Sequence, residues 1–217
     1  MSRENLEPEV ETKFDVPLET DESGFILAVA NVFATNGWRL SRTNTEVPLQ
    51  FQYYDTLELL LYSKGETIRR VSGLPESSGP KGTYRYDFKL GPINDRLERN
   101  HWSDQEYTPQ EILDKVAEGC SYQLLIPAAL ANTKHLKMYF ERRGTTIEST
   151  HDLFKVQDGT PFKELELELK TGSVHDLKEI SEQVSTVLGL RRITIQKYNR
   201  VIEGMPRYAE AVRKYGG

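Results

Sequence analysis

Phe162-Lys163-Glu164-Leu165-Glu166-Leu167-Glu168-Leu169-Lys170 decides how this sequence is read. Glutamate and leucine alternate with a period of two, the period at which a β-strand sends successive side chains to opposite faces. A helix would scatter the same glutamates around its circumference. The stretch therefore predicts a strand with one face of leucine and one of carboxylate. Stacked carboxylates repel one another, so something cationic must answer them: solvent, neighbouring Lys or Arg, or a divalent metal. Alone, such a strand would most simply turn its acidic face to water.

A second stretch, Glu7-Pro8-Glu9-Val10-Glu11-Thr12-Lys13-Phe14, puts Glu9, Glu11 and Lys13 on one strand face. Two strands with co-facial carboxylates, far apart in the chain, suggest a closed or nearly closed barrel that aims both rows at one polar interior.

Composition narrows the classes. The 217 residues suit one domain, and 37% hydrophobic residues allow a sizeable core. The net charge of −5 disfavours duplex nucleic acid as a partner. One cysteine, Cys120, excludes an internal disulfide and suits a reducing compartment. No apolar run is long enough to span a membrane, and the opening Met1-Ser2-Arg3-Glu4 lacks the pattern of a signal peptide. The expectation is a soluble, cytoplasmic protein, with a homodimer allowed for.

Along the chain, Asp21 or Ser23 caps a helix whose apolar residues run from Phe25 to Phe33, ended by Asn36-Gly37. Thr67-Ile68-Arg69-Arg70-Val71 reads as a strand in which only one of the two arginines can point inward. Ser72 to Thr83, rich in Gly, Pro and Ser, reads as a hairpin loop. Arg85, Asp87 and Lys89 share one face of the next strand, and Arg96 and Glu98 one face of the strand after it. Residues 103–133, with Pro109 at a first helical turn and an Ile112, Leu113, Val116 stripe, read as a helical insertion. Strands resume at Lys134. Ser173 begins a final long helix with a stripe from Val174 to Leu188, ended by Gly189, and Lys197 and Arg200 close the cationic set.

The candidate acids on a shared face are Glu9, Glu11, Glu98, Asp152, Glu164, Glu166 and Glu168. The candidate bases are Lys13, Arg69, Lys89, Arg96, Lys137, Arg142, Lys197 and Arg200. Burying so many charges unpaired would cost several kcal/mol each. A highly charged ligand bridged by hard cations removes the problem. Mg²⁺ or Mn²⁺ takes carboxylate and phosphate oxygens, and Lys and Arg take the remaining phosphate oxygens. No Gly-x-x-x-x-Gly-Lys-Ser/Thr loop is present, and the four histidines lack zinc-ligand spacing, so no role falls to them.

Glu9-Val10-Glu11-Thr12-Lys13 resembles the Glu-x-Glu-x-Lys signature of the CYTH superfamily, the triphosphate tunnel metalloenzymes. Ile68-Arg69-Arg70-Val71 is similar to its Leu-Arg-x-Arg strand, although the second arginine falls on Val71. Phe88-Lys89, Arg96-Leu97-Glu98, Ile147-Glu148 with Asp152, the acidic strand and Lys197-Tyr198-Asn199-Arg200 follow in the family's order. Relatives often carry an arginine near the position of His135. The resemblance covers about residues 7 to 203. It implies an α+β fold, an antiparallel eight-stranded β-tunnel with flanking helices. It also implies metal-dependent release of the terminal phosphate from a small-molecule triphosphate, inorganic tripolyphosphate foremost. Class IV adenylate cyclase, or a polyphosphate- or nucleotide-binding module, are the alternatives. By resemblance, Glu9, Glu11, Glu166 and Glu168 would hold one metal, with Glu164 near it, and Glu98 and Asp152 a second that helps activate water. Lys13, Arg69, Lys89, Arg96, Lys197 and Arg200 would position substrate, with Lys13 also a candidate for proton transfer; Lys137 and Arg142 join as further candidates.

Overall fold

A computed structural model describes residues 7–44, 46–74, 83–91, 96–118 and 120–215, with the side chains of residues 7, 8, 96 and 215 outside the description. The acidic stretch is a strand, β10 (Phe162–Thr171). It lies between β9 (Thr145–Val156) and β2 (Glu11–Val16), antiparallel to both. Leu165 and Leu167 are fully buried in an apolar core with Phe14, Val29, Phe33, Ile180 and Val184. That core fills the space under α1 (Glu22–Thr35) and α4 (Val174–Leu188), which cover the leucine face. Asp21 and Ser173 cap these helices through their side chains, and Gly189 ends α4 at φ 64°, as the sequence predicts. The two helices thus leave the carboxylate face free to turn inward.

Eleven strands share one antiparallel sheet. The remaining ones are β1 (Glu7–Glu9), β3 (Arg39–Thr43), β4 (Val47–Asp55), β5 (Thr67–Ser72), β6 (Tyr84–Leu90), β7 (Arg96–Ser103), β8 (Ile126–Arg142) and β11 (Arg191–Ile193). The pairing order is β1-β7-β6-β5-β4-β8-β9-β10-β2-β11, with β3 beside β8. This is a path with two ends and not the expected ring of eight. The ladder breaks at Val10, where the N-terminal stretch changes partner, from β7 along β1 to β10 along β2. The predicted hairpin loop lies largely outside the described residues, which resume at Thr83.

The insertion read over 103–133 is helical only at α3 (Pro109–Lys115), opened by a Thr108–Glu111 capping box. Residues 126–133 instead begin the 17-residue β8, paired with β4 and β9. The alanine-rich run has helical propensity, but the ladder to β4, joined by β9 from Ala131 on, overrides it. Pro127 sits at the register shift between Tyr53 and Tyr54, where a missing N–H is tolerated.

A second apolar core joins β4, β5 and β6 to α2 (Leu60–Lys64), α3 and α5 (Lys197–Glu203). Its anchor is Asp55, fully buried. Asp55 accepts hydrogen bonds from the backbone N–H groups of Thr56 (2.7 Å), Leu61 (2.8 Å) and Tyr62 (2.9 Å), and from the Tyr198 hydroxyl (2.7 Å). This carboxylate fixes α2 and α5 together, and α5 carries Lys197. The tail is a turn of 3-10 helix (Pro206–Tyr208) and α6 (Ala209–Tyr215). Among the described residues, no helix is long and apolar enough to cross a membrane.

Candidate functional site

Strand register stacks the inward residues in rows across β2, β10, β9 and β8. One row reads Glu11, Glu168, Glu148, Tyr139. The next reads Lys13, Glu166, Thr150, Lys137. The third reads Asp15, Glu164, Asp152, His135. Directly opposed residues share a face, so period-two alternation on four strands assembles one polar wall. Glu164 and Glu166 are 2% and 8% exposed, which rules out an acidic face turned to water. The facing wall comes from β4 to β7, where Arg69, Asp87 and Asn100 form one row and Lys89 and Glu98 belong to the next. Between the walls lies a cavity of about 710 Å³.

Glu9, Arg69, Lys89, Glu98, Lys137, Asp152, Glu166, Glu168 and Lys197 all line this cavity. Carboxylate oxygens of Glu9, Glu166 and Glu168 lie within 4.8 Å of one another. Lys89 Nζ donates to Glu9 (2.7 Å) and lies 3.3 Å from Glu98. Lys197 Nζ reaches Asp152 (2.8 Å) and Glu166 (2.9 Å). Burial is the strongest influence on Glu9 and would raise its pKa, but Lys89 and Lys13 together hold the group at about 2. Burial likewise opposes ionisation of Glu166 and Asp152, and the neighbouring lysines hold both below the carboxylate range. Glu11 goes the other way: burial and the Glu166 charge push it up to about 8. Burial, with Glu148 and Glu166, also raises Glu168 despite Lys170.

Other candidates stand behind or away from the cavity. Glu11 and Lys13 do not line it; Lys13 Nζ lies between Glu11 (3.1 Å) and Glu166 (3.2 Å) and is 2% exposed. Glu164 shares the face of Glu166 but does not line the cavity; it is held by Arg200 (3.1 Å) and lies 3.6 Å from Lys197. Arg200, one helical turn after Lys197, turns outward to Asp15 and Glu164. Arg142 is not part of the site. Its strand parity is opposite to that of Lys137, and it binds Asp176 and Glu179 of α4 over the Trp38 ring. Those acids and His175 form a second, outer cluster that Arg142 already spans. The backbone of Arg96 pairs with Glu9, and its side chain lies outside the described residues. Glu98 shares Lys89 with Glu9, Asp152 shares Lys197 with Glu166, and neither Glu98 nor Asp152 joins a cluster of three potential ligands among the described residues.

Several cavity residues escaped the sequence reading. His135 Nδ1 lies 2.6 Å from Asp152 at the cavity wall. Lys170 extends the β10 acidic face by one more period-two step and pairs with Glu168 (2.6 Å), a position the alternation itself could have flagged. Glu148 is reached by Lys137 (2.6 Å). Arg42, from β3, covers the Tyr139 ring at 4.0 Å. Arg85 stands directly across from Val71, so a guanidinium absent from one strand is present on its neighbour.

No family model matches the sequence, and no curated protein matches it. Solved structures do. A "putative adenylate cyclase" from Bacillus halodurans superposes with a TM-score of 0.56 at 14% identity, over 90% of this chain and 98% of that one. A "putative adenylate cyclase" from Vibrio parahaemolyticus gives 0.54 at 15%, over 90% and 98%. A "putative adenylyl cyclase" from Hippeastrum, described as having a dominant triphosphatase activity, gives 0.54 at 12%, over 91% and 96%. The chain shares their fold. At such identities the likeness concerns architecture, and the chemistry has to be argued from the cavity.

The cavity suits a hard divalent cation by its donors. Glu9, Glu166 and Glu168 offer only carboxylate oxygen, the preference of Mg²⁺ and Mn²⁺. Burial first, and neighbouring carboxylates after it, push Glu11 and Glu168 up, so a cation beside them would favour their ionised forms. A dication there would supply that charge.

Proposed function

We propose that the protein is a divalent-metal-dependent triphosphatase of the CYTH type, releasing the terminal phosphate of a small-molecule triphosphate. The observation that carries this is the convergence of Glu9, Glu166 and Glu168 beside Lys89 and Lys197 in one cavity. A site that only bound anions would be better served without buried carboxylates. We read the sheet as a tunnel. The continuity of β1 and β2 through Val10 supports this, since one stretch pairs with both β7 and β10.

Glu9, Glu166 and Glu168 would hold Mg²⁺ or Mn²⁺. The ion would supply charge neutralisation at the phosphoryl oxygens and a bound water of lowered pKa. Arg69, Lys89, Lys137 and Lys197 would bind the remaining phosphate oxygens and hold the chain in line. Lys13, sealed between Glu11 and Glu166, would set the charge and orientation of the metal ligands from behind. Asp152 would orient His135 and Lys197 at the cavity wall. Neither Glu98 nor Asp152 joins a cluster of three potential ligands among the described residues, so a second metal is not part of the proposal. Inorganic tripolyphosphate is the first substrate to try, because it needs only the charged groups named here.

The test is phosphate release from tripolyphosphate with Mg²⁺ or Mn²⁺, repeated in excess chelator. The reading expects turnover that stops in chelator. Ligand binding that survives chelator, with no turnover under any condition, would reduce the protein to a binding module.

A further inference from the structure

We infer that Arg85 is a further substrate-contacting cation, and that Asp87 is the positioning residue that aims Arg69 and Arg85 together into the cavity. The inference rests on the triphosphatase reading and deepens it. Asp87 is fully buried and does not line the cavity, whereas Arg69, Arg85 and Asn100 do. Arg69 Nε donates to Asp87 Oδ2 at 2.7 Å. Arg85 Nε donates to Oδ1 at 2.7 Å, and Arg85 Nη2 to Oδ2 at 3.0 Å. The Asn100 amide, in the orientation that suits its neighbours, donates to Oδ1 at 2.7 Å and to Glu98 at 3.1 Å. One carboxylate therefore uses both oxygens to organise three cavity-lining side chains.

Asp87 takes Nε from each arginine. That leaves both terminal nitrogens of Arg69 and one of Arg85 outside the Asp87 bonds. The planar guanidinium is then fixed about its own long axis, a constraint lysine cannot supply. An aromatic ring braces each arginine as well, Phe51 at 4.7 Å for Arg69 and Trp102 at 5.9 Å for Arg85. Neighbouring guanidiniums repel each other, and a buried anion between them permits both to face one anionic ligand. Two braced forks on adjacent strands match the several oxygens of a phosphoryl chain better than a single charge does.

The experiment compares wild type, Arg85→Ala, Arg85→Lys, Asp87→Asn and the Arg85→Ala/Asp87→Asn double variant. Steady-state kinetics on tripolyphosphate with Mg²⁺ would be joined by calorimetric binding of imidotriphosphate, with thermal unfolding as the check on folding. Arg85→Ala should raise KM and the analogue Kd about tenfold with a smaller change in kcat, as expected for a lost charge-assisted contact. Arg85→Lys should recover only part, since it keeps charge without the Nε bond. Asp87→Asn should weaken binding more than Arg85→Ala, because it also releases Arg69, and its effect should shrink at least about threefold in the Arg85→Ala background, where the part exerted through Arg85 is already lost. Arg85 is partly exposed, so its variants keep the test alive if Asp87→Asn folds poorly. Arg85→Ala within about twofold of wild type in KM and Kd, or an Asp87→Asn effect equal in both backgrounds, would overturn the inference alone. Wild type that neither binds imidotriphosphate nor cleaves tripolyphosphate would overturn the triphosphatase reading and this inference with it.

Discussion

Glu166→Gln separates function from stability more sharply than any other single change. The amide keeps the shape of the side chain and removes one charge from the Glu9–Glu166–Glu168 group. Glu166 lies 3.2 Å from Lys13 and 2.9 Å from Lys197, and its carboxylate oxygens lie within 4.8 Å of those of Glu9 and Glu168. At an effective dielectric of about 20, each attraction is worth roughly 5 kcal/mol and each repulsion roughly 3.5 kcal/mol. The lost attraction, about 10 kcal/mol, is largely cancelled by about 7 kcal/mol of relieved repulsion, and the cost of burying the charge is also recovered. Because the lysines still hold Glu166 below the carboxylate range, metal-free stability should fall, by no more than about 2 kcal/mol. Turnover has no such cancellation, because the variant loses one of three carboxylates that would hold the ion. A fall of about 10²–10³ in kcat/KM is expected, with a matching demand for more Mn²⁺. The assay is phosphate release against Mn²⁺ concentration, beside thermal unfolding in chelator. A variant with kcat/KM within about fivefold of wild type at saturating Mn²⁺ would refute the reasoning, since the shared carboxylate site would then not hold the ion that matters.

Other expectations follow from the same geometry. Glu11, with its pKa raised to about 8, carries a proton in the folded state that the unfolded chain loses near 4.5. Its stabilising contribution is full below that lower value and disappears as pH rises through the higher one. His151, held neutral by burial with a pKa of about 4, works in the opposite sense only below about 6.5. Metal-free protein should thus lose up to about 2 kcal/mol between roughly pH 6.5 and 8. Glu11→Gln should flatten that slope in chemical unfolding; an unchanged slope would contradict the assignment. Arg142→Ala should cost about 1–2 kcal/mol by untying β8 from α4, while kcat/KM stays within about twofold; a large kinetic loss would return Arg142 to the site. Tyr198→Phe keeps the stack on Tyr53 but removes the bond to Asp55. It should lower unfolding free energy by about 1–3 kcal/mol, and no change would mean that α5 is anchored by packing alone.

The acidic face was legible because period two is a property of the strand itself. Once β10 was a strand, Glu164, Glu166 and Glu168 had to share a face, and Leu165 and Leu167 had to meet a core. The same parity rule would have extended the row to Lys170 and separated Lys137 from Arg142, which stand an odd number of residues apart on β8. What the sequence could not reveal was pairing. Glu148 and Tyr139 join the site only because β9 and β8 lie beside β10 in a particular register. Arg85 shares its strand face with Lys89 by parity, and register adds that it stands across from Val71 of β5. Register comes from contacts distant in sequence. The alanines of β8 pulled the other way, toward a helix that pairing with β4 overrode. Lys13, expected against substrate, is sealed behind the wall because Glu11 and Glu166 hold it from both sides. The ionised Glu166 is buried and takes Lys13 as its cation, while the buried Glu11 carboxyl closes the other side.

The most direct test of the central claim is product analysis on tripolyphosphate, thiamine triphosphate, ATP and triphosphorylated RNA. Each would be run with Mg²⁺ and with Mn²⁺, with phosphate, pyrophosphate and cyclic AMP quantified together, in wild type and in Glu9→Gln. The account predicts phosphate as the released product, fastest from tripolyphosphate, absent in chelator and greatly reduced in Glu9→Gln. Pyrophosphate with cyclic AMP from ATP would contradict it and make the cavity that of a cyclase.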